Sequence, residues 1–499
     1  MFLQACIFRK RGEALLVIQS IKQMGTVVII AFLFAVIMGI AISAGIFLPF
    51  QILIFVAGLF LFIWVLLKPN VGILSIVILI FIPLSLGNFL RVPDLFVAEL
   101  TIPFVVLAYF LTKITKRESI FVFKKSANAL LIPILLYFTI VFLNYIRNPL
   151  PPGNILGIGS ELGGLRVYYV FLLCFLVYII FADAVGRDKQ ILNNIFSTLW
   201  ALMLILNLYG IASVYLPSLQ KNLFSLQSLG IVVPHSLATG SWTVSKYATG
   251  GYRSGLLQDV APVGLLLLLS GLIRQNKFTP ALLFFFWFGL ILSGGRSFVI
   301  GALLASCIWM IMKKNWESIL GLFLLGIVVY LALFVYYDAL PGPLHRILQI
   351  RGGLEETAPW RGKLYPLFFE SFKGTPLFGA GIGSVPMGGS GFERFLSGQL
   401  RFGGHGTYLS LLYTMGLLGF IPFIWILYRS IKSSIKMINY GNNSYYKPFA
   451  MFTFLFLIYY IFPLSVGGKG SDICLFMILG IVSGLHIALK NEEKEYVIT

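Results

Sequence analysis

The chain has 499 residues, 59% of them hydrophobic and only 11% charged, with a mean hydropathy of +0.93. A soluble protein of that length carries roughly a quarter charged residues, so a soluble enzyme is excluded. The net charge of +19 would suit nucleic acid, but in so apolar a chain the basic residues serve to orient membrane spans, and no nucleic-acid partner is expected.

Taken from the N-terminus, residues 1–25 carry Arg9, Lys10 and Arg11 and read as an amphipathic segment on the cytoplasmic surface. The apolar stretch that follows is long and lacks a clear cleavage site, so it is read as an uncleaved first span. Apolar runs of helix-spanning length, about 20 residues each, then give about fourteen spans. They start near Thr26, Phe50, Val71, Leu95, Asn128, Val167, Ile191, Leu256, Phe278, Phe298, Ile319, Gly406, Pro448 and Asp472. The runs are continuous, without the alternation of barrel strands. The expected fold class is therefore all-α, a polytopic membrane protein. Residues 26–337 hold the first eleven spans, 338–405 form an outward, extracytoplasmic loop, 406–489 hold the last three spans, and 490–499 form a cytoplasmic tail. The short connections on the N-terminal side of the membrane are basic, which places both termini in the cytoplasm. The four cysteines show no metal spacing, and Cys174, Cys307 and Cys474 lie in apolar runs.

Two outward segments follow from that orientation. Residues 217–254 are rich in Ser, Gly and aromatics and contain His235. The 338–405 loop carries Arg346, Arg351, Arg361, Lys363, Lys373, Arg394 and Arg401, and ends at His405, where the next apolar run opens. Clustered guanidinium groups suit phosphate, which they grip in a bidentate fashion. The segment from Leu364 to Phe372 is too apolar for a free loop and is expected to form a short helix that lies on the membrane or caps a cavity.

Individual positions keep two readings. His405 is either a general base or an interfacial residue at a helix end. Arg296, in Ser293-Gly294-Gly295-Arg296-Ser297 between two apolar runs, either faces an anion in a wet cavity or snorkels to the interface. Arg253 either binds the same anion or pairs with Asp259. The outward segments hold no carboxylate pairs at metal-binding spacing, no Walker loop and no Cys/His cluster. No metal and no cofactor are therefore expected, and arginines would offset the phosphate charge.

Three ordered segments resemble the O-antigen ligase and O-antigen polymerase superfamily of bacterial envelope glycosyltransferases. They are Ser293–Ser297, then Trp360-Arg361-Gly362-Lys363-Leu364-Tyr365 leading into Gly374–Gly383, and last His405-Gly406-Thr407-Tyr408-Leu409 leading to Gly416-Leu417-Leu418-Gly419. The resemblance implies a GT-C-like, metal-independent, inverting transferase at the outer face of the inner membrane. It would move a glycan from an undecaprenyl-diphosphate carrier to an acceptor hydroxyl on a glycan or lipid. It also implies Arg296 and Arg361 as catalytic diphosphate binders and His405 as the catalytic base, while Arg253, Arg346, Arg351 and Arg401 are substrate-binding candidates from their place in the outward segments alone. The high span count favours a polymerase, with a chain-length regulator as a possible partner. A ligase acting on lipid A-core is the alternative, and a lipid-linked oligosaccharide flippase is the reading from another class.

Overall fold

Several helices in this chain begin at a polar or imino residue that interrupts an apolar run, among them those starting at Pro69, Arg166, Lys189, Thr279, Arg296, Thr407 and Lys447. In the computed structural model the described residues are 64, 68–81, 97–115, 118, 130–147, 166–216, 244–246, 252–254, 256–274, 276–314, 366, 368–369, 372–381, 407–440, 445–466 and 472–498. They contain eleven helices: α1 (Pro69–Phe81), α2 (Val97–Thr115), α3 (Leu131–Arg147), α4 (Arg166–Arg187), α5 (Lys189–Tyr215), α6 (Leu256–Leu269), α7 (Thr279–Leu292), α8 (Arg296–Met312), α9 (Thr407–Asn439), α10 (Lys447–Val466) and α11 (Ile473–Ile498). Each starts within a few residues of an expected span. The expected spans from Thr26, Phe50 and Ile319 lie outside the described residues.

The local causes are visible at the helix ends. Asp188 caps α5 by accepting from the Gln190 amide at 2.8 Å. Asp472 caps α11 by accepting from Cys474 and Leu475 at 2.8 and 3.3 Å. Side-chain oxygens at these positions satisfy amides that have no partner inside the helix. Among the described residues, five helices are long and apolar enough to cross a membrane, within α4, α5, α9, α10 and α11. Six shorter apolar helices accompany them. Large apolar side chains such as Phe142, Ile205, Leu208, Phe284 and Ile421 are exposed on the outside of the bundle. Water would penalise that surface and lipid would not. This is a multi-pass membrane protein.

One feature departs from an all-α reading. Val244–Lys246 (β1) and Tyr252–Ser254 (β2) form an antiparallel hairpin with Val244 opposite Ser254 and Ser245 opposite Arg253. It falls in the 217–254 segment that is expected to face outward, where β-favouring Val and Tyr flank a connection containing Gly250 and Gly251.

The bundle core lies where α3, α4, α9 and α11 meet. Tyr137 is fully buried there, stacked on Phe476 at 6.2 Å and within 5.8 Å of Phe423. α4 and α11 approach closely because Gly480 and Gly484 present no side chain. A Cβ on Gly480 would sit 2.8 Å from Tyr178 O, and one on Gly484 would sit 2.6 Å from Val185 Cβ. Lipid supplies no hydrophobic drive between helices, so such small-residue contacts and a Tyr178–Ser483 hydroxyl pair at 3.0 Å hold the pair together.

Charge gathers at one end of the bundle. Asp183, fully buried, accepts from Tyr109 Oη at 2.6 Å and Arg187 Nε at 2.9 Å, with Lys113 Nζ at 4.0 Å. Glu118 bridges Lys113 and Arg187 at 2.6 and 3.2 Å. At the same end Lys189 pairs with Glu492 and lies over the rings of Tyr445 and Tyr446. The Tyr445 hydroxyl donates to Lys189 O at 3.1 Å, and burial pushes its phenol up to about 12.

Candidate functional site

Arg296 is the first residue of α8, and the turn before it is built to be tight. Gly294 has φ +63°, a backbone that glycine adopts without strain. Ser293 Oγ donates back to Leu290 O and accepts from the Gly295 amide at 3.2 Å. Gln258 of α6 reaches across to donate to Ser293 O at 3.3 Å, while Tyr459 of α10 donates to Gln258 O at 3.4 Å. A Cβ on Gly295 would meet Phe298 at 2.8 Å and Gln258 at 3.2 Å. α6, α8 and α10 thus converge on this turn, and Arg296 leaves it partly exposed. The fully buried Asp472 lies at this same end of the molecule, its Oδ2 without a hydrogen-bond partner.

A second constellation forms around a break in α9. Gly416 stands at φ +61°, ψ −161°, which interrupts the helix. A break leaves carbonyls before it and amides after it without helical partners, and in an apolar bundle those groups must be satisfied. The segment Pro376–Gly381 supplies the partners. Ala380 N donates to Tyr413 O at 2.7 Å and Gly381 N to Thr414 O at 3.0 Å. Leu417 N donates to Pro376 O at 2.9 Å and Leu418 N to Leu377 O at 3.1 Å. Gly379, at φ +68°, backs directly onto the break, and a Cβ there would lie 2.5 Å from the Thr414 carbonyl carbon.

The end of α3 pins this joint. Arg147 Nη1 donates to Gly379 O at 3.3 Å, and its guanidinium lies 5.3 Å from the centre of the Phe378 ring. Asn144 Nδ2 donates to Thr414 O at 3.2 Å, and Tyr168 Oη donates to Asn144 Oδ1 at 3.3 Å. In the apolar run before the joint, Phe368 is buried against Tyr413, with Phe372, Leu409 and Leu412 around it.

Of the residues expected from sequence, Arg296 has a described side chain. Arg253 is placed by its backbone in β2, which packs against α5. Arg361, Arg346, Arg351, Arg401 and His405 lie outside the described residues. His405 precedes the first residue of α9 by two positions. Arg147, Asn144 and Gln258 were not among the expected site residues. A polar pair at the end of an apolar run is the signal that points to Asn144 and Arg147, and Gln258 is marked by standing beside Asp259 at the start of another.

Comparison with known proteins places a boundary around these features. Residues 281–424 match the family described as O-antigen ligase. This segment runs from α7 through the turn at Arg296, the Pro376–Gly381 segment and the first half of α9. No curated protein matches the chain.

Proposed function

With the O-antigen ligase segment as premise, we propose that this protein is an envelope glycosyltransferase at the outer face of the bacterial inner membrane. It transfers a glycan from an undecaprenyl-diphosphate carrier to an acceptor hydroxyl. The observation that carries the reading is the single matched segment, which contains Arg296, Arg361 and His405 together. Within it, two of its motifs are hydrogen-bonded to each other at the α9 break.

In this mechanism the acceptor oxygen attacks the anomeric carbon as the bond from that carbon to the diphosphate oxygen breaks. The diphosphate leaves with the electron pair, and the centre is inverted. Arg296 and Arg361 stabilise the charge developing on the diphosphate, as preorganised donors do in a site shielded from water. His405 takes the acceptor proton. Arg253, Arg346, Arg351 and Arg401 hold the remaining anionic and glycan groups, and no divalent ion takes part. The full chain has about fourteen spans in a GT-C-like arrangement, with both termini cytoplasmic. The acceptor is the next lipid-linked repeat, which makes the enzyme a polymerase working with a chain-length regulator. The high span count favours this over a ligase.

Purified protein with lipid-linked donor and acceptor tests the proposal. Arg296→Ala and Arg361→Ala each lower transfer by about 10²-fold or more, the typical loss for one charge-stabilising donor. His405→Ala abolishes transfer while donor still binds. Activity of the parent falls as pH drops through about 6–7, where an ordinary imidazole gains its proton and can no longer accept one. EDTA leaves the rate unchanged. A ladder of products identifies a polymerase and a single transfer a ligase, whereas full activity in His405→Ala refutes the base.

A further inference from the structure

We propose that the N-terminus of α9, with the Thr407 hydroxyl as its floor, is the binding site for the diphosphate of the lipid-linked donor. The inference rests on the transferase reading above and adds to it a residue and a backbone site beyond the arginines. Thr407 is the first residue of α9 and is 0% exposed, yet its Oγ1 has no hydrogen-bond partner. Native proteins rarely leave a buried hydroxyl unsatisfied, and a bound anion is one partner that would answer this one. Side chains on a helix tilt toward its N-terminus, so this hydroxyl belongs to the end of α9 where the first-turn amides have no partners inside the helix.

Those amides and the helix dipole favour an anion. No acidic residue stands in the first turn of α9 to neutralise them. The break at Gly416 makes Thr407–Met415 a helical segment in its own right, its far end fastened by the Pro376–Gly381 bonds and by Asn144. Thr407, Ser410 and Thr414 are spaced three and four residues apart, so they share one face, and all three are buried. Thr414 Oγ1 donates to Ser410 O at 2.7 Å. A polar seam therefore runs from Tyr168 and Asn144 along this face to the α9 N-terminus, inside an otherwise apolar bundle. Polar positions in such surroundings mark substrate paths.

The test compares the full chain, Thr407→Ser and Thr407→Val in lipid nanodiscs. Binding of undecaprenyl diphosphate and of inorganic pyrophosphate is measured alongside thermal unfolding. Thr407→Ser binds undecaprenyl diphosphate within about twofold of the parent, and Thr407→Val binds it roughly tenfold or more weakly, as expected for one lost hydrogen bond to an anion. Thr407→Val unfolds at the parent's temperature or higher, because the hydroxyl it lacks has no partner in the fold. A similar loss for pyrophosphate places recognition in the diphosphate alone, and a loss confined to the lipid-linked form places it in the membrane-anchored headgroup. Equal affinity of Thr407→Val and parent for both probes overturns the site. A parent that binds through Thr407 but transfers no glycan would instead sink the transferase reading and leave the anion site standing.

Discussion

Gly379 and Gly416 show how single residues decide whether the matched segment can assemble. Both have positive φ, and each lacks a Cβ where the other's backbone passes: a Cβ on Gly416 would lie 2.4 Å from Leu377 O. Alanine at either position carries left-handed strain plus a contact that only backbone movement can relieve. Gly416→Ala should cost about 1–3 kcal/mol, the range for a strained backbone conformation, and transfer should fall sharply. The check is thermal unfolding in detergent beside the transfer assay, and a fully active Gly416→Ala would show that the joint is incidental. Arg147 is different in kind. It is exposed and its bond to Gly379 O is long, so Arg147→Gln should barely change unfolding while loosening the Gly379 turn. Arg147→Lys should restore charge without the planar fork that reaches Gly379 and stacks on Phe378.

Between elements, the strongest polar tie is the one joining α2 to α4 through Asp183. The carboxylate is fully buried, whereas Arg187 is partly exposed and already shares Glu118. Removing the cation leaves a buried charge held by Tyr109 and the more distant Lys113, while removing the carboxylate leaves a cation that can turn to Glu118 and water. Arg187→Ala should therefore destabilise more than Asp183→Asn, by up to about 3 kcal/mol, near the lower end for breaking a buried pair. Chemical unfolding of the two variants in one detergent decides it, and the reverse order would mean that Asp183 is a liability the fold tolerates.

For the molecule as a whole, sidedness is the property on which the functional proposal depends. The described contacts put Lys113, Arg187 and Lys189 with their acidic partners at one end, and Arg147, Gly379, Gln258 and Ser293 away from it. In the proposed orientation short basic connections face the cytoplasm, which would put the end with Arg147 outward. An impermeant thiol reagent applied to intact cells should label Ser390→Cys and should miss Tyr440→Cys, which is exposed at the far end of α9. The opposite pattern would invert the proposed site. Chain-local information sufficed for the helices: eleven begin near the expected starts because, in lipid, an uninterrupted apolar run has no alternative that satisfies its own backbone. It also sufficed to mark the three motifs, since Ser-Gly-Gly-Arg, the glycine-rich stretch and His405 stand out against apolar surroundings. What tertiary structure alone decided is who answers whom. Gly416 stands out in the sequence only as part of a motif, and its helix break is visible only because Pro376–Gly381 arrives from outside the helix to meet the freed carbonyls and amides. Asp183 finds Tyr109 from 74 residues away and Asn144 finds Thr414 from 270, and Thr407 is a buried, unanswered hydroxyl only once the bundle has closed around it. A residue's polarity is local, but whether that polarity is satisfied depends on approach in space, and no reading of neighbours along the chain contains it.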